Sequence, residues 1–163
     1  MALFTQKTRV LFVCAANICR SPLAEGLMRH RLQELGLQGQ FRADSAGTRA
    51  SQRGHKPDAR AQKVAGAAGV SLAGIKARQV TVKDMVRSDY IVAMDASNYK
   101  DLIKMCPPED QFKIKLLMSY APEFGVEDVP DPYYGNYGGF EEVFRLIDGA
   151  VNQLIKHIVD STA

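Results

Sequence analysis

Cys14 and Arg20, with five residues between them, stand where the apolar run Val10-Leu11-Phe12-Val13 gives way to Ser21-Pro22. A strand that ends in a thiol, turns and continues as a helix makes a loop faced by free backbone N–H groups and a positive dipole end, which suits an oxyanion. The same groups favour an ionised sulfur at Cys14. Arg20 adds a planar fork matched to two oxygens of a phosphoryl group. Attack of the Cys14 thiolate on phosphorus would give a cysteinyl-phosphate and split one hard hydrolysis into two easier steps. The amides of Ala15, Ala16, Asn17, Ile18, Cys19 and Arg20 are then the groups that hold the charged equatorial oxygens. A cysteine at a strand end is ordinarily buried packing. The arginine, the Ser-Pro helix start and the spacing together give this one a chemical reading, and that chemistry needs no metal and no cofactor.

Far downstream lies Asp131-Pro132-Tyr133-Tyr134-Gly135. With Cys14-x5-Arg20-Ser21-Pro22 it resembles the low-molecular-weight protein tyrosine phosphatase family, whose signature pairs these two motifs in this order. The similarity continues through Asp44-Ser45-Ala46-Gly47-Thr48, Ala77-Arg78-Gln79 and Asp89-Tyr90-Ile91 with Met94-Asp95, so it spans nearly the whole chain. The resemblance implies hydrolysis of phosphotyrosine, a phosphotyrosine-containing protein as partner, a cognate tyrosine kinase as a further one, and a monomeric chain.

A phenolic leaving oxygen needs a proton, and Asp131 is the carboxylate to supply it. Pro130 and Pro132 flank it, and a residue before proline is held toward extended geometry. Burial and a nearby thiolate or phosphate would favour the protonated form that a general acid requires. Asp128 is the alternative acid. The resemblance makes Tyr133 and Tyr134 an aromatic wall against the substrate ring, deep enough to prefer phosphotyrosine to phosphoserine; ordinary packing is the other reading. Ser21 either caps the following helix, donates to the Cys14 sulfur, or does both. Asn17 suits a left-handed backbone position. Cys19 is either a small buried residue or the partner of Cys14 in a reversible protective disulfide. Cys106 reads as structural, and His30, His55 and His157 as surface residues.

Three positions depart from the family pattern. Ala16 stands where glycine is usual, which is tolerable only if its φ is negative. Ile75 replaces a histidine that commonly supports the loop asparagine, so Asn17 needs another partner. Ser51 falls where many members carry an aromatic side chain, so one wall of the pocket is expected to be missing. Two rivals remain at this point. An arsenate reductase would need relay thiols near mid-chain, and Ala67 to Ser88 contains none. A non-catalytic phosphotyrosine-binding module would fit the three departures but not the intact Cys14, Arg20 and Asp131.

The elements that must position these groups alternate between strand-like and helical patterns, which predicts an α/β domain with a parallel sheet. Strands are expected at Arg9 to Val13, Phe41 to Ser45, Tyr90 to Met94 and Ile114 to Met118. The first helix should start with Ser21 as N-cap and Pro22 in its first position and close at Gly36. A second should run from Pro57 to Ala68, ended by Gly69, and shorter ones should follow Thr81 and Asp95, the latter stopped by Pro107-Pro108. Phe140, Val143, Phe144, Ile147, Val151, Leu154, Ile155 and Ile158 mark one face of a long last helix. The family resemblance implies a four-stranded flavodoxin-like sheet with helices on both faces and strand order 2-1-3-4. In such sheets ligands bind beyond the carboxyl ends of the strands, where strand order reverses.

At 163 residues the chain fits a single domain, 1–163, able to bury a core without disulfides. A content of 46% apolar and 24% charged residues is ordinary for a globular protein. No segment approaches the roughly 18 apolar residues of a membrane span, and the first residues lack a signal peptide's apolar middle, so a cytoplasmic location is expected. Three cysteines argue against a secreted disulfide framework. A net charge of +3 without a basic stripe or reader motif argues against nucleic acid. The local excess of Arg49, Arg53, His55, Lys56, Arg60 and Lys63 over Asp58 is either a solvated loop and helix or a rim that favours acidic phosphopeptides.

Overall fold

The computed structural model describes residues 6–133, 135 and 137–162. Four parallel strands form its centre: β1 (Thr8–Cys14), β2 (Phe41–Gly47), β3 (Tyr90–Ala93) and β4 (Ile114–Leu116), in the spatial order β2-β1-β3-β4. Around them run α1 (Arg20–Glu34), α2 (Ala59–Ala67), α3 (Val82–Arg87), α4 (Ala96–Met105) and α5 (Tyr137–Thr162). β1 pairs with β2 through the full register Thr8 with Phe41 to Cys14 with Gly47, and with β3 through Val10 with Tyr90 to Val13 with Ala93. β1 is therefore flanked on both edges, and the strand order reverses at its carboxyl end.

Residues alternate across a strand, and both faces of this sheet are covered, so β1 is apolar without interruption from Val10 to Cys14. Val10, Phe12 and Cys14 join one core with Leu23, Leu27 and Met28 of α1 and Phe140, Ile147, Val151 and Leu154 of α5. Leu11 and Val13 join the other, with Met85 of α3 and Leu102 of α4. The long last helix holds the expected face: Phe140, Val143, Ile147, Val151, Leu154, Ile155 and Ile158 are all buried, while Phe144 is partly so. No helix among the described residues is long and apolar enough to cross a membrane.

Several element ends differ from expectation. β1 and β2 each run further, to Cys14 and Gly47, because their parallel ladder continues to the mouth of the cysteine loop. β4 stops at Leu116, since Leu117 and Met118 turn into the first core on a tight turn over Leu117–Tyr120. α1 starts one residue before Ser21, with Cys19 at the N-cap and no side chain capping it. α2 starts at Ala59 rather than Pro57, because the Asp58 carboxylate accepts from the Arg60 amide at 2.8 Å and takes the N-cap position. α3 and α4 start with reciprocal boxes, Thr81 with Asp84 and Asp95 with Asn98. Gly36 and Gly69, at φ of 69° and 77°, follow α1 and α2 as anticipated.

At Gly47 the sheet meets the loop: a Cβ there would sit 2.4 Å from the Ala15 carbonyl oxygen and 3.1 Å from the Asn17 nitrogen. Both are backbone atoms of a loop anchored through the Cys14, Ala15 and Ile18 carbonyls, so neither can swing away freely. Gly47→Ala is expected to lose about 1–3 kcal/mol of stability, read from the urea midpoint, together with affinity for inorganic phosphate. An unchanged midpoint would show that the loop can retreat from β2.

Candidate active site

The loop between β1 and α1 is fixed through its carbonyl groups. Those of Cys14, Ala15 and Ile18 accept from the amides of Thr48, Arg49 and Asp58 at 2.9, 2.8 and 2.7 Å. Among the described residues no acceptor is spent on the amides of Ala16, Asn17, Ile18 or Cys19. The loop thus turns acceptors outward and donors toward its own concavity, at the start of α1.

Asn17 is the one described non-glycine residue with positive φ, at 59°. Ala16 is not among the positive-φ residues, so alanine is accommodated there without strain. The Asn17 side chain is buried, donates to Ser21 Oγ at 2.7 Å and accepts from the Arg78 backbone amide at 3.0 Å. That amide is the support Asn17 needed in the absence of a histidine at Ile75, which is itself buried in the apolar core. Arg78 is in turn gripped by both carboxylate oxygens of Asp84, at 2.9 and 3.1 Å.

Ser21 does not cap α1. Its hydroxyl receives the Asn17 amide and lies 3.1 Å from Cys14 Sγ and 3.4 Å from the Ala46 carbonyl oxygen. With Asn17 donating, the one hydroxyl proton faces two acceptors, the Ala46 carbonyl and the nearer Cys14 sulfur. Cys14 is buried, on the floor of a cavity of about 260 Å³ walled by the loop, Arg20, Ser51, Gln52, Asp131 and Tyr133. A larger cavity, about 520 Å³, lies at the opposite end of the sheet beside Thr8 and Tyr90, away from the cysteine loop.

Arg20 is only 2% exposed, and its Nη1 donates to Asp95 Oδ2 at 2.7 Å and to the Val129 carbonyl at 2.9 Å. In the sequence Asp95 marks a helix start and a position of the resemblance, with no sign of this pairing. It is also the carboxylate that a buried guanidinium requires. Val129 is placed by its own amide, which donates to the Met94 carbonyl at 2.8 Å. Two residues on, Asp131 Oδ2 stands 3.7 Å from Arg20 Nη2, and Oδ1 accepts from the Tyr133 amide at 3.0 Å. The Asp131 side chain is 47% exposed, so the burial expected of it is not present. It sits on the rim of the cavity, where a substrate rather than the protein would cover it. Asp128 is turned to α4, where Oδ1 accepts from the Ala96 amide at 3.1 Å.

Tyr133 lines the cavity, and Tyr134 lies outside the described residues. Ser51 does occupy the wall where an aromatic ring was expected to be missing. Cys19 also lines the cavity. Burial first, then the neighbouring Asp58, Cys14 and Asp131, push its thiol far up, so it is held protonated. Cys14, Cys19 and Cys106 are all free thiols. Of the basic run, Arg49 pairs with Asp101 and Arg60 with Asp58, while Arg53, His55 and Lys56 are exposed. Of the other histidines, His30 is half-buried beside Glu34 rather than fully at the surface, and His157 is exposed against Tyr120. Beneath the loop, Glu25 is a buried acid unmarked in the sequence. It accepts from Ser45 Oγ at 2.6 Å and pairs with Arg29, and burial pushes its carboxyl up.

The Asp84 carboxyl is partly buried, which opposes ionisation, but the hydrogen bonds from Arg78 and Thr81 prevail and hold it below its ordinary value. A carboxylate lowered on folding contributes stability that is complete above about pH 4 and is lost as pH falls through the lowered value. Asp84→Asn should therefore cost about 0.5–1 kcal/mol at neutral pH, since Arg78 is partly solvated, and should flatten the acid side of the stability profile. Urea titrations from neutral pH down to about pH 3 measure both effects. A parallel acid limb in variant and parent would sever Asp84 from acid stability.

The family model described as low molecular weight phosphotyrosine protein phosphatase matches residues 9–162. The low molecular weight protein-tyrosine-phosphatase YfkJ of Bacillus subtilis is 43% identical over 149 residues, covering 91% of this chain and 94% of the relative. The human low molecular weight phosphotyrosine protein phosphatase is 40% identical over 142 residues, 83% of this chain and 86% of its own. The crystal structure of YfkJ superposes with a TM-score of 0.93 at 40% identity, over 98% of this chain and 99% of that one. A protein tyrosine phosphatase from Entamoeba histolytica, crystallised with Hepes in its active site, gives a TM-score of 0.92 at 36% identity, over 96% and 100%. With the loop, its arginine and the downstream aspartate gathered at one cavity, the chain belongs to the low molecular weight protein-tyrosine-phosphatase family.

Proposed function

We propose that this chain, acting as one catalytic domain, hydrolyses phosphotyrosine in proteins through a cysteinyl-phosphate at Cys14. The observation that carries the reading is the stacking of groups along one cavity: Cys14 on its floor with Ser21 Oγ 3.1 Å from the sulfur, Arg20 in its side, and Asp131 and Tyr133 at its rim. Phosphate bound in the loop accepts from the amides of Ala15 to Arg20. Nη1 of Arg20 is occupied by Asp95 and Val129, which leaves Nε and Nη2 as the edge offered to phosphoryl oxygens.

In the first step the Cys14 thiolate attacks phosphorus, a P–S bond forms, the P–O bond to the tyrosine ring breaks, and Asp131 donates a proton to the leaving phenolate. In the second, water attacks phosphorus and gives a proton to Asp131. The P–S bond breaks, phosphate departs, and the Ser21 hydroxyl stabilises the returning thiolate. Tyr133, and Tyr134 by family resemblance, would flank the ring. Ser51 leaves the opposite wall low, so bulkier aromatic phosphomonoesters should also enter. A reducing compartment such as the cytoplasm suits a site that depends on a free thiol, and a monomer suffices because every group comes from one chain.

Cys14→Ser is expected to abolish turnover of a phosphotyrosine peptide while retaining the fold and the binding of inorganic phosphate, because the loop amides remain. Hydrolysis by that variant near the parental rate would exclude covalent catalysis at this sulfur. Assayed beside it, arsenate reduction coupled to a thiol reductant should be absent, and its presence would move the chain to the rival chemistry. Asp131→Asn should slow hydrolysis of phosphotyrosine by roughly 10²–10⁴-fold and that of nitrophenyl phosphate far less, since only the poorer leaving group needs the proton. Equal losses on the two substrates would mean that another group is the acid.

A further inference from the structure

The segment that carries Asp131 is tied to α2 through the Arg60 side chain. Arg60, the second residue of α2, donates from Nη2 to the Tyr133 carbonyl at 2.9 Å and from Nη1 to the Gly135 carbonyl at 3.0 Å. Its guanidinium lies 4.6 Å from the centre of the buried Phe140 ring and 5.7 Å from that of Tyr133. Asp58 fixes the other edge of the fork, Oδ1 accepting from Nε at 3.1 Å and Oδ2 from Nη2 at 3.0 Å. The Asp58 amide in turn donates to the Ile18 carbonyl of the cysteine loop at 2.7 Å. A continuous chain of hydrogen bonds therefore runs from the phosphate-binding loop through Asp58 and Arg60 to the backbone on the far side of Asp131. Arg60 itself does not line the cavity and reaches no reacting atom.

We infer that Arg60 is a positioning residue for the proton donor: it sets the height of the Asp131 segment above the Cys14 loop and thereby the distance over which the proton passes to the leaving group. This inference rests on Asp131 being the general acid. Asp131 needs such a device because its carboxylate is half exposed and its own bonds, to the Tyr133 amide and at 3.7 Å to Arg20, restrain it only locally. From the amino-terminal side the segment is held by the Val129 carbonyl on Arg20, so two arginines bracket the acid, one two residues before it and one two residues after. The fork is essential to the geometry. A lysine offers a point charge and cannot reach two carbonyl groups while keeping both oxygens of Asp58.

A positional role separates from a structural one by its dependence on the leaving group. Arg60→Ala is expected to lower kcat for a phosphotyrosine peptide by about 10–100-fold, the scale of a misplacement near 1 Å, and to lower that for nitrophenyl phosphate little. Arg60→Lys should lie between Arg60→Ala and the parent, and both should bind inorganic phosphate normally. In an Asp131→Asn background, Arg60→Ala should add almost nothing, because the group it positions is already gone. Leaving-group-dependent loss in Asp131→Asn, with parental selectivity or fully additive loss in Arg60→Ala, would overturn the positioning role alone. A loss in Asp131→Asn that is equal on both substrates would overturn the acid assignment, and the role of Arg60 with it. Weakened phosphate binding in both Arg60 variants, with equal losses on the two substrates, would show Arg60 to be a structural support of the cysteine loop.

Discussion

A guanidinium taken almost wholly out of water is the constraint around which this molecule is arranged. Arg20 faces inward, and an unpaired buried cation would cost several kcal/mol. The protein answers with Asp95 and the Val129 carbonyl, both on one terminal nitrogen. Each partner imposes a further demand. Asp95 has to sit at the carboxyl end of β3, where it also caps α4, and Val129 has to return to the sheet at Met94. Satisfying one charge thus brings together α1, α4 and the segment bearing Asp131. The order of the strands, with β1 between β2 and β3, puts the cysteine loop at the place where those three can meet.

The hydroxyl of Ser21 plays the corresponding part for the sulfur. It is buried, and its neighbours are arranged in sequence: the Arg78 amide orients Asn17, Asn17 donates to Ser21, and Ser21 is left facing Cys14. Such a relay has a definite direction because the first donor is a backbone N–H that cannot reverse. Isoleucine at position 75 does not interrupt it, since the backbone amide of Arg78 rather than a side chain starts the relay, and Asp84 grips the Arg78 guanidinium from outside.

The short-range chemistry was legible in the sequence and the long-range support was not. Cys14, Arg20, Ser21 and Asn17 lie within eight residues, so the spacing alone places them on one loop. Asp131 could be reached because its prolines and tyrosines make a second recognisable motif. Asp95 and Arg60 carry no local signature of their function: Asp95 reads as a helix start and Arg60 as one of a basic run, and each takes its significance from a partner some 75 residues away. The assignment of Ser21 as a helix cap failed for a local reason: α1 already begins at Arg20, and the Ser21 hydroxyl is claimed by Asn17 and Cys14. The expected burial of Asp131 failed because neighbouring prolines restrict the backbone without saying which side of it faces solvent. β4 was overextended because Leu117 and Met118 are apolar enough for a strand yet are drawn into the core by a tight turn.

The span of the Arg20 contacts has a kinetic meaning. The bond to Asp95 closes 75 residues of chain and that to Val129 closes 109, whereas the cysteine loop lies between two adjacent elements. Contacts so distant in sequence bear the largest loop-closure entropy and are correspondingly late candidates in folding. The anion-binding loop can therefore take shape while the arginine still lacks its counter-charge, and the site becomes whole only when the carboxyl-terminal third of the chain has docked. During synthesis, a chain that has emerged no further than β3 would carry Cys14 and Arg20 but neither partner of the arginine, Asp95 and Val129, nor Asp131. The proposed catalytic set would then be complete only once the segment through Asp131 has docked.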